Sequence, residues 1–257
     1  MHYPRLDIDL DATPEQLTRM LMAIAAAWEE MGEDWPHFSV LSEEQFLPRN
    51  LARSLDRFWD SGESEAETTL SLLRQLSFGN TAAKTCVEYG CGLGRVTIPL
   101  SRQFGQVHGY DISARHLLLA RQRAEAVGCD NVRFHHRGDG LLAPLTTCDF
   151  FYSRLVFQHN PPPVMRELVR LALASLRPGG IAIFELPVYL SGYAFRVEEY
   201  LNAPRKERME MHCLPQREVF ALVEAVGCSL IEVREDRTVE IKQECLGNYF
   251  VITRPVT

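Results

Sequence analysis

None of the seven cysteines is separated from another by two residues, as a zinc knuckle or a dithiol redox motif requires. Their number is odd and several lie in apolar runs, so they read as packing thiols in a reducing compartment. Long hydrophobic runs are missing too: the stretch from Leu21 to Trp28 is far too short to span a bilayer. The N-terminal stretch carries Asp7, Asp9 and Asp11 with no cationic flank, so it does not read as a secretory signal. A cytoplasmic protein with no membrane partner is the expectation. Positive charge is scarce. Lys and Arg number 27 against 34 Asp and Glu, a net charge of −7, and residues 1–80 hold fifteen acidic against six basic residues. Such a chain is poorly suited to a phosphate backbone, so no nucleic-acid partner is expected. Repeats and low-complexity segments are also absent.

What is present suits a soluble α/β protein. At 257 residues, 46% hydrophobic and 24% charged, the chain fits one domain with additions or two small ones. Helix formers dominate residues 13–78. One helix starts at Thr13-Pro14-Glu15-Gln16, with proline in the first position, and runs through Ala27. A second helix is expected over about 43–59, a break at Ser61-Gly62-Glu63-Ser64, and a third helix over 65–76. From residue 85 strands and helices alternate, the pattern of a parallel sheet covered on both faces. Strands are expected near 85–89, 106–110, 131–135, 148–153 and 180–186, with helices near 93–103, 113–126 and 162–176. An aromatic-rich insertion spans 188–214, followed by a helix near 215–226 and a hairpin-like strand pair near 228–236 and 246–254.

The most telling stretch is Val87-Glu88-Tyr89-Gly90-Cys91-Gly92-Leu93-Gly94-Arg95. Glycines at alternate positions let a backbone turn sharply and approach a ligand closely, and the helix that follows presents free N–H groups. A dinucleotide fingerprint, G-x-G-x-x-G, would need glycine at position 95, where Arg95 stands. A second feature is Gly109-Tyr110-Asp111-Ile112-Ser113, which puts a carboxylate 21 residues beyond Gly90. Either Asp111 or Ser113 could also cap the helix beginning there. Third is Gly138-Asp139-Gly140, by itself only a turn signal.

In this order the three features resemble the class I methyltransferases that use S-adenosyl-L-methionine (SAM), with E-x-G-x-G-x-G as their first motif. The resemblance covers about 85–254 and implies a doubly wound, seven-stranded, mostly parallel Rossmann-like sheet with an N-terminal helical extension. It implies SAM as cofactor and S-adenosyl-L-homocysteine (SAH) as product, with no metal. By that resemblance Gly90, Gly92 and Gly94 lie against the methionine portion and Glu88 reaches its amino end. Asp111, with Ile112 beside it, takes the ribose, and Asp139 with Gly140 takes the adenine. The family places specificity in N-terminal helices and after the fifth strand, so 1–80 is expected as a substrate-side cap and 81–257 as the core, with a lid-like insertion at 188–214.

Asn160-Pro161-Pro162-Pro163 looks like the N-P-P-aromatic signature of amide N-methyltransferases, but it stands seven residues after Ser153 and lacks the aromatic. The prolines read better as a helix start. In Tyr152 to His159, at the carboxyl end of the fourth core strand, His159 is the catalytic candidate, either as general base or as an orienting group. A capping histidine is the plainer alternative. The expected function is methyl transfer to a small organic acceptor, at a hydroxyl oxygen. An N-methyltransferase of a small amine and a catalytically silent SAM-binding protein are the alternatives. A nicotinamide-dependent oxidoreductase is disfavoured by Arg95 and by the lack of a Tyr-x-x-x-Lys pair. Self-association, where it occurs, is expected as a homodimer.

Overall fold

The helix-rich start and the alternating remainder both appear in the computed structural model, which describes residues 5–137, 142–204, 208–236 and 245–256. A short strand β1 (Asp7–Ile8) precedes helices α1 (Pro14–Asp34), α2 (Pro36–Val40) and α3 (Leu55–Gln75). Then come β2 (Thr85–Tyr89), α4 (Thr97–Ser101), β3 (Gln106–Asp111), α5 (Ala114–Ala126) and β4 (Val132–His136). The chain continues through β5 (Cys148–Ser153), α6 (Pro162–Ala174), β6 (Leu176–Leu190), β7 (Ala194–Phe195), α7 (Val197–Asn202) and α8 (Gln216–Ala225). It closes with β8 (Ser229–Asp236) and β9 (Cys245–Thr253). Seven strands form a mostly parallel sheet in the order β4-β3-β2-β5-β6-β9-β8, in which β9 runs antiparallel to both β6 and β8. This is the doubly wound, seven-stranded, mostly parallel sheet that the sequence resemblance implies.

The described residues group into two compact units, one from 28–139 and the other from 1–27 with 140–257. In the first, β2 pairs with β3 and β3 with β4, all parallel, so that Tyr89 lies level with Tyr110 and Asp111 with His136. Phe46, Phe58 and Leu93 form a buried cluster there, against which Val40, Leu41, Trp59 and Leu119 pack. In the second unit the buried aromatics Phe150, Phe151, Phe184 and Phe250 sit on β5, β6 and β9. Its β1 pairs in parallel with β7. Asp9 accepts from the Val197 N–H at the start of α7 (3.0 Å), Arg196 pairs with Asp7, and Arg166 pairs with Asp11 at 2.5 Å. The acidic leader is therefore matched by arginines of its own unit.

Several boundaries differ from expectation for physical reasons. No helix spans 43–54, where two 3-10 turns (Glu44–Phe46 and Leu51–Arg53) stand instead. Nor does the chain break at 61–64. There α3 is continuous, with the Ser61 and Ser64 hydroxyls bonded back to the carbonyls of Phe58 and Asp60. The expected helix over 93–103 shortens to α4, because Gly92 and Gly94 hold φ of +51° and +79° and delay helical geometry. Strand β6 runs on to Leu190, into the expected insertion, because β9 keeps pairing with it as far as Leu190 opposite Cys245.

Candidate functional site

At the end of β2 the chain enters three left-handed glycines, Gly90, Gly92 and Gly94, at φ +76°, +51° and +79°. An L side chain is strained at each of these positions. The N–H groups of Gly90 and Cys91 both donate to the Tyr110 carbonyl on β3, at 2.7 and 3.0 Å. The Gly92 N–H donates to Asp111 Oδ2 at 2.7 Å, and Asp111 Oδ1 accepts from the Ser113 N–H at 2.9 Å. The loop and the carboxylate are thus one hydrogen-bonded structure. Burial acts to raise the Asp111 pKa, but His116 and these two N–H donors outweigh it and leave the carboxyl below its ordinary value. Oδ1 is also approached by His116 Nδ1 at 3.6 Å, whereas Oδ2 has the Gly92 N–H alone among these partners and retains an acceptor site for a hydroxyl donor. Ser113 is the N-cap of α5, its hydroxyl accepting from the His116 N–H at 3.2 Å. Capping and ligand-facing capacity therefore coexist on neighbouring residues.

Glu88 is 5% exposed and accepts from the Thr97 hydroxyl. Burial pushes its carboxyl up to about 8, more than the Thr97 hydrogen bond lowers it. The Ile112 carbonyl faces His136 Nε2 at 2.9 Å. Asp139 and Gly140 lie outside the described residues.

Sequence reasoning missed how the loop is braced. Arg95, immediately after the last glycine, forms a buried ion pair with Glu65 of α3 at 2.7 Å and bonds the Ser61 hydroxyl at 3.2 Å. A Cβ at Gly62 would stand 2.0 Å from the Arg95 carbonyl oxygen. The Ser-Gly-Glu-Ser run is thus the face that α3 applies to the glycine loop. Only the run's small residues hinted at it, since Glu65 and Arg95 are 30 residues apart.

His159 belongs to the other unit, in a 3-10 turn (Phe157–His159) after β5. Its Nδ1 bonds the Glu210 carbonyl at 2.9 Å, so Nδ1 carries the hydrogen. Burial pulls its pKa down to about 4, against the opposing pull of that bond. The imidazole is neutral at physiological pH. Nearby in the same unit Arg154 pairs with Glu185 of β6 at 3.2 Å, and Glu185 also accepts from the Leu155 N–H at 3.0 Å. Among the described residues no cluster of three or more His, Cys, Asp or Glu side chains is disposed to hold a metal ion. No described helix is long and apolar enough to cross a membrane.

Residues 86–180 match the family model described as a methyltransferase domain. This segment is a methyltransferase domain. The chain is 30% identical over 100 residues to the ubiquinone biosynthesis O-methyltransferase of a Methylobacterium species, 39% of each chain. It is 31% identical over 121 residues to the malonyl-(acyl-carrier protein) O-methyltransferase of Bacillus cereus, covering 46% of this chain and 44% of that one. The matches thus span less than half the length of these curated relatives. In three dimensions the chain resembles magnesium protoporphyrin IX methyltransferase of Synechocystis with bound SAM, at a TM-score of 0.54 and 16% identity over 75% of this chain and 79% of that one. That likeness is one of fold. The methyltransferase domain contains the whole glycine loop, Asp111 and His159, whereas α3, which braces the loop, lies ahead of it.

Proposed function

We propose that this protein is a SAM-dependent methyltransferase that moves a methyl group onto a hydroxyl oxygen of a small organic acceptor and releases SAH. The observation that carries the reading is the Asp111 carboxylate tied at 2.7 Å to the Gly92 N–H of a three-glycine turn, inside a methyltransferase domain. In this reading Glu88, Gly90, Gly92 and Gly94 hold the methionine portion, Asp111 and Ile112 the ribose side, and Asp139 with Gly140 the adenine. The bound cofactor supplies an electrophilic methyl group. Both curated relatives are named as O-methyltransferases, which supports oxygen as the atom methylated.

The acceptor side rests on 1–80 and on the insertion 188–214. Asp7, Asp9 and Asp11 are engaged by Arg196 and Arg166, and Glu198 by Gln16, so the acidic leader supports no cationic acceptor. His159 orients the acceptor hydroxyl by accepting its hydrogen bond. With a pKa held near 4 it is too weak a base to store the proton at neutral pH. Placement of the reacting groups, worth roughly 7–11 kcal/mol in favourable cases, then supplies most of the acceleration.

Calorimetry with SAH tests the cofactor half. The wild type binds, and Asp111→Ala loses about tenfold or more of the affinity, as expected for hydrogen bonds to a charged group. Binding of NAD with no binding of SAH sinks the reading. Labelled-methyl transfer from SAM into a pooled metabolite extract, read by mass spectrometry, tests the acceptor half. An O-methyl product supports it, an N-methyl product moves the acceptor atom, and no labelled product leaves a silent SAM-binding protein.

A further inference from the structure

One imidazole joins the Asp111 carboxylate to the segment seated on the glycine loop. His116, in the first turn of α5, is 2% exposed and places Nδ1 3.6 Å from Asp111 Oδ1. Its Nε2 lies 2.8 Å from the hydroxyl of Ser39, which is 5% exposed. The Ser39 hydroxyl has two acceptors within reach, His116 Nε2 and, at 3.0 Å, the Pro36 carbonyl. With the hydroxyl hydrogen directed at the nearer Nε2, the ring hydrogen of the neutral imidazole stands on Nδ1 and faces the carboxylate.

These contacts close on themselves. Ser39 lies in α2, and the next residue, Val40, places Cγ2 2.7 Å from where a Cβ on Gly92 would stand. Gly92 in turn donates its N–H to the other oxygen of Asp111 at 2.7 Å. The path runs from Asp111 through His116, Ser39, Val40 and Gly92 back to Asp111, with every member inside residues 28–139. A ring of contacts over-determines the carboxylate: neither oxygen can rotate without losing a partner. Ser39, His116 and Asp111 have the residue types of a nucleophilic triad, but Ser39 and His116 are both buried, so the hydroxyl is closed to any substrate. What the ring can do is aim a carboxylate. It also explains why this acid stays ionised although burial works against it.

We propose that His116 is the positioning residue for the nucleoside: it aims the Asp111 carboxylate at the ribose hydroxyls and ties that grip to the seating of Pro36–Val40 on the glycine loop. This rests on the reading of Asp111 as the ribose ligand. The neighbouring groups fit the assignment. His37, also on α2, has its pKa lowered to about 4, first by burial and then by its electrostatic interaction with His116. Glu29 is occupied at the start of α5, where it accepts from the Ala114 N–H at 2.9 Å, and does not compete for His116.

The test uses SAH and S-(2′-deoxyadenosyl)homocysteine as calorimetric probes on the full chain. The wild type prefers SAH by about tenfold, the worth of one hydroxyl donated to a carboxylate. His116→Gln, whose amide reaches the Nε2 position but not Nδ1, brings the two ligands to within about twofold by weakening SAH more than the 2′-deoxy analogue. His116→Asn, whose amide nitrogen stands where Nδ1 was, restores most of the preference. Ser39→Ala lowers the preference about threefold in the same direction, and it serves should both His116 variants fail to fold. Equal weakening of both ligands, or an unchanged preference in every folded variant, overturns the assignment. Failure of the wild type to bind SAH overturns the cofactor reading itself.

Discussion

Glu88 is a carboxyl that burial keeps protonated up to about pH 8, with the Thr97 hydroxyl donating to it. A neutral acid is a poor partner for the ammonium end of an amino-acid ligand, and a carboxylate is a good one. Binding SAH should therefore drive the proton off Glu88. Below pH 8 the expected outcome is release of up to one proton per ligand, with affinity rising as the pH approaches 8. Calorimetry in buffers of different ionisation enthalpy measures this release, and Glu88→Gln abolishes it. His159 behaves oppositely: burial removes its proton well below neutrality, which is why it is assigned an orienting role.

At the scale of elements, α3 is the part whose function its sequence conceals. Serine and glycine in its middle signal a break, yet the helix is continuous over Leu55–Gln75 and uses Gly62 for contact with the Arg95 backbone. Gly62→Ala gains the usual helix propensity of alanine, up to about 1 kcal/mol. Against that it drives a methyl group into a carbonyl that the buried Arg95–Glu65 pair holds in place. Overpacking of this kind costs about 1–3 kcal/mol or more, so the collision wins. The expected outcome is a lower unfolding midpoint together with weaker SAH binding. A midpoint equal to or above that of the wild type would show that α3 can withdraw from the loop.

Across the whole molecule the buried titrating groups set the pH range of stability. His37, His108 and His159 have pKa values lowered to about 4, chiefly by burial. Each is neutral when folded, so its contribution is present above 6.5 and is lost as the pH falls toward 4. Glu88 and Glu185 are raised to about 8, again chiefly by burial. Each keeps its proton when folded, so its contribution is present below 4.5 and is lost as the pH rises through 8. Between pH 4.5 and 6.5 these three histidines, joined by His135, whose pKa burial also lowers, act against two acids, and above 6.5 the acids act alone. The melting temperature should therefore peak near pH 6.5 and decline toward pH 8. Glu185→Gln flattens the alkaline side if it folds as the wild type does. A midpoint that climbs steadily from pH 6.5 to 8.5 would contradict this account.

The glycine loop and the carboxylate beside it were legible in the chain because they are local: Glu88, three alternating glycines and Asp111 lie on two consecutive strands and the loop that leaves the first. The parallel sheet was legible because strand and helix patterns alternate along the chain, whereas the order of its strands came from the tertiary structure. What only the tertiary structure decided is the bracing of that loop. Ser39 meets His116 across 77 residues and Glu65 meets Arg95 across 30, and no periodicity links such pairs. The pKa of Glu88 was equally out of reach, because burial is a property of everything packed around a residue. The sequence determined that a glycine loop and a carboxylate would stand together; the packing of α2 and α3 decided how firmly each is held.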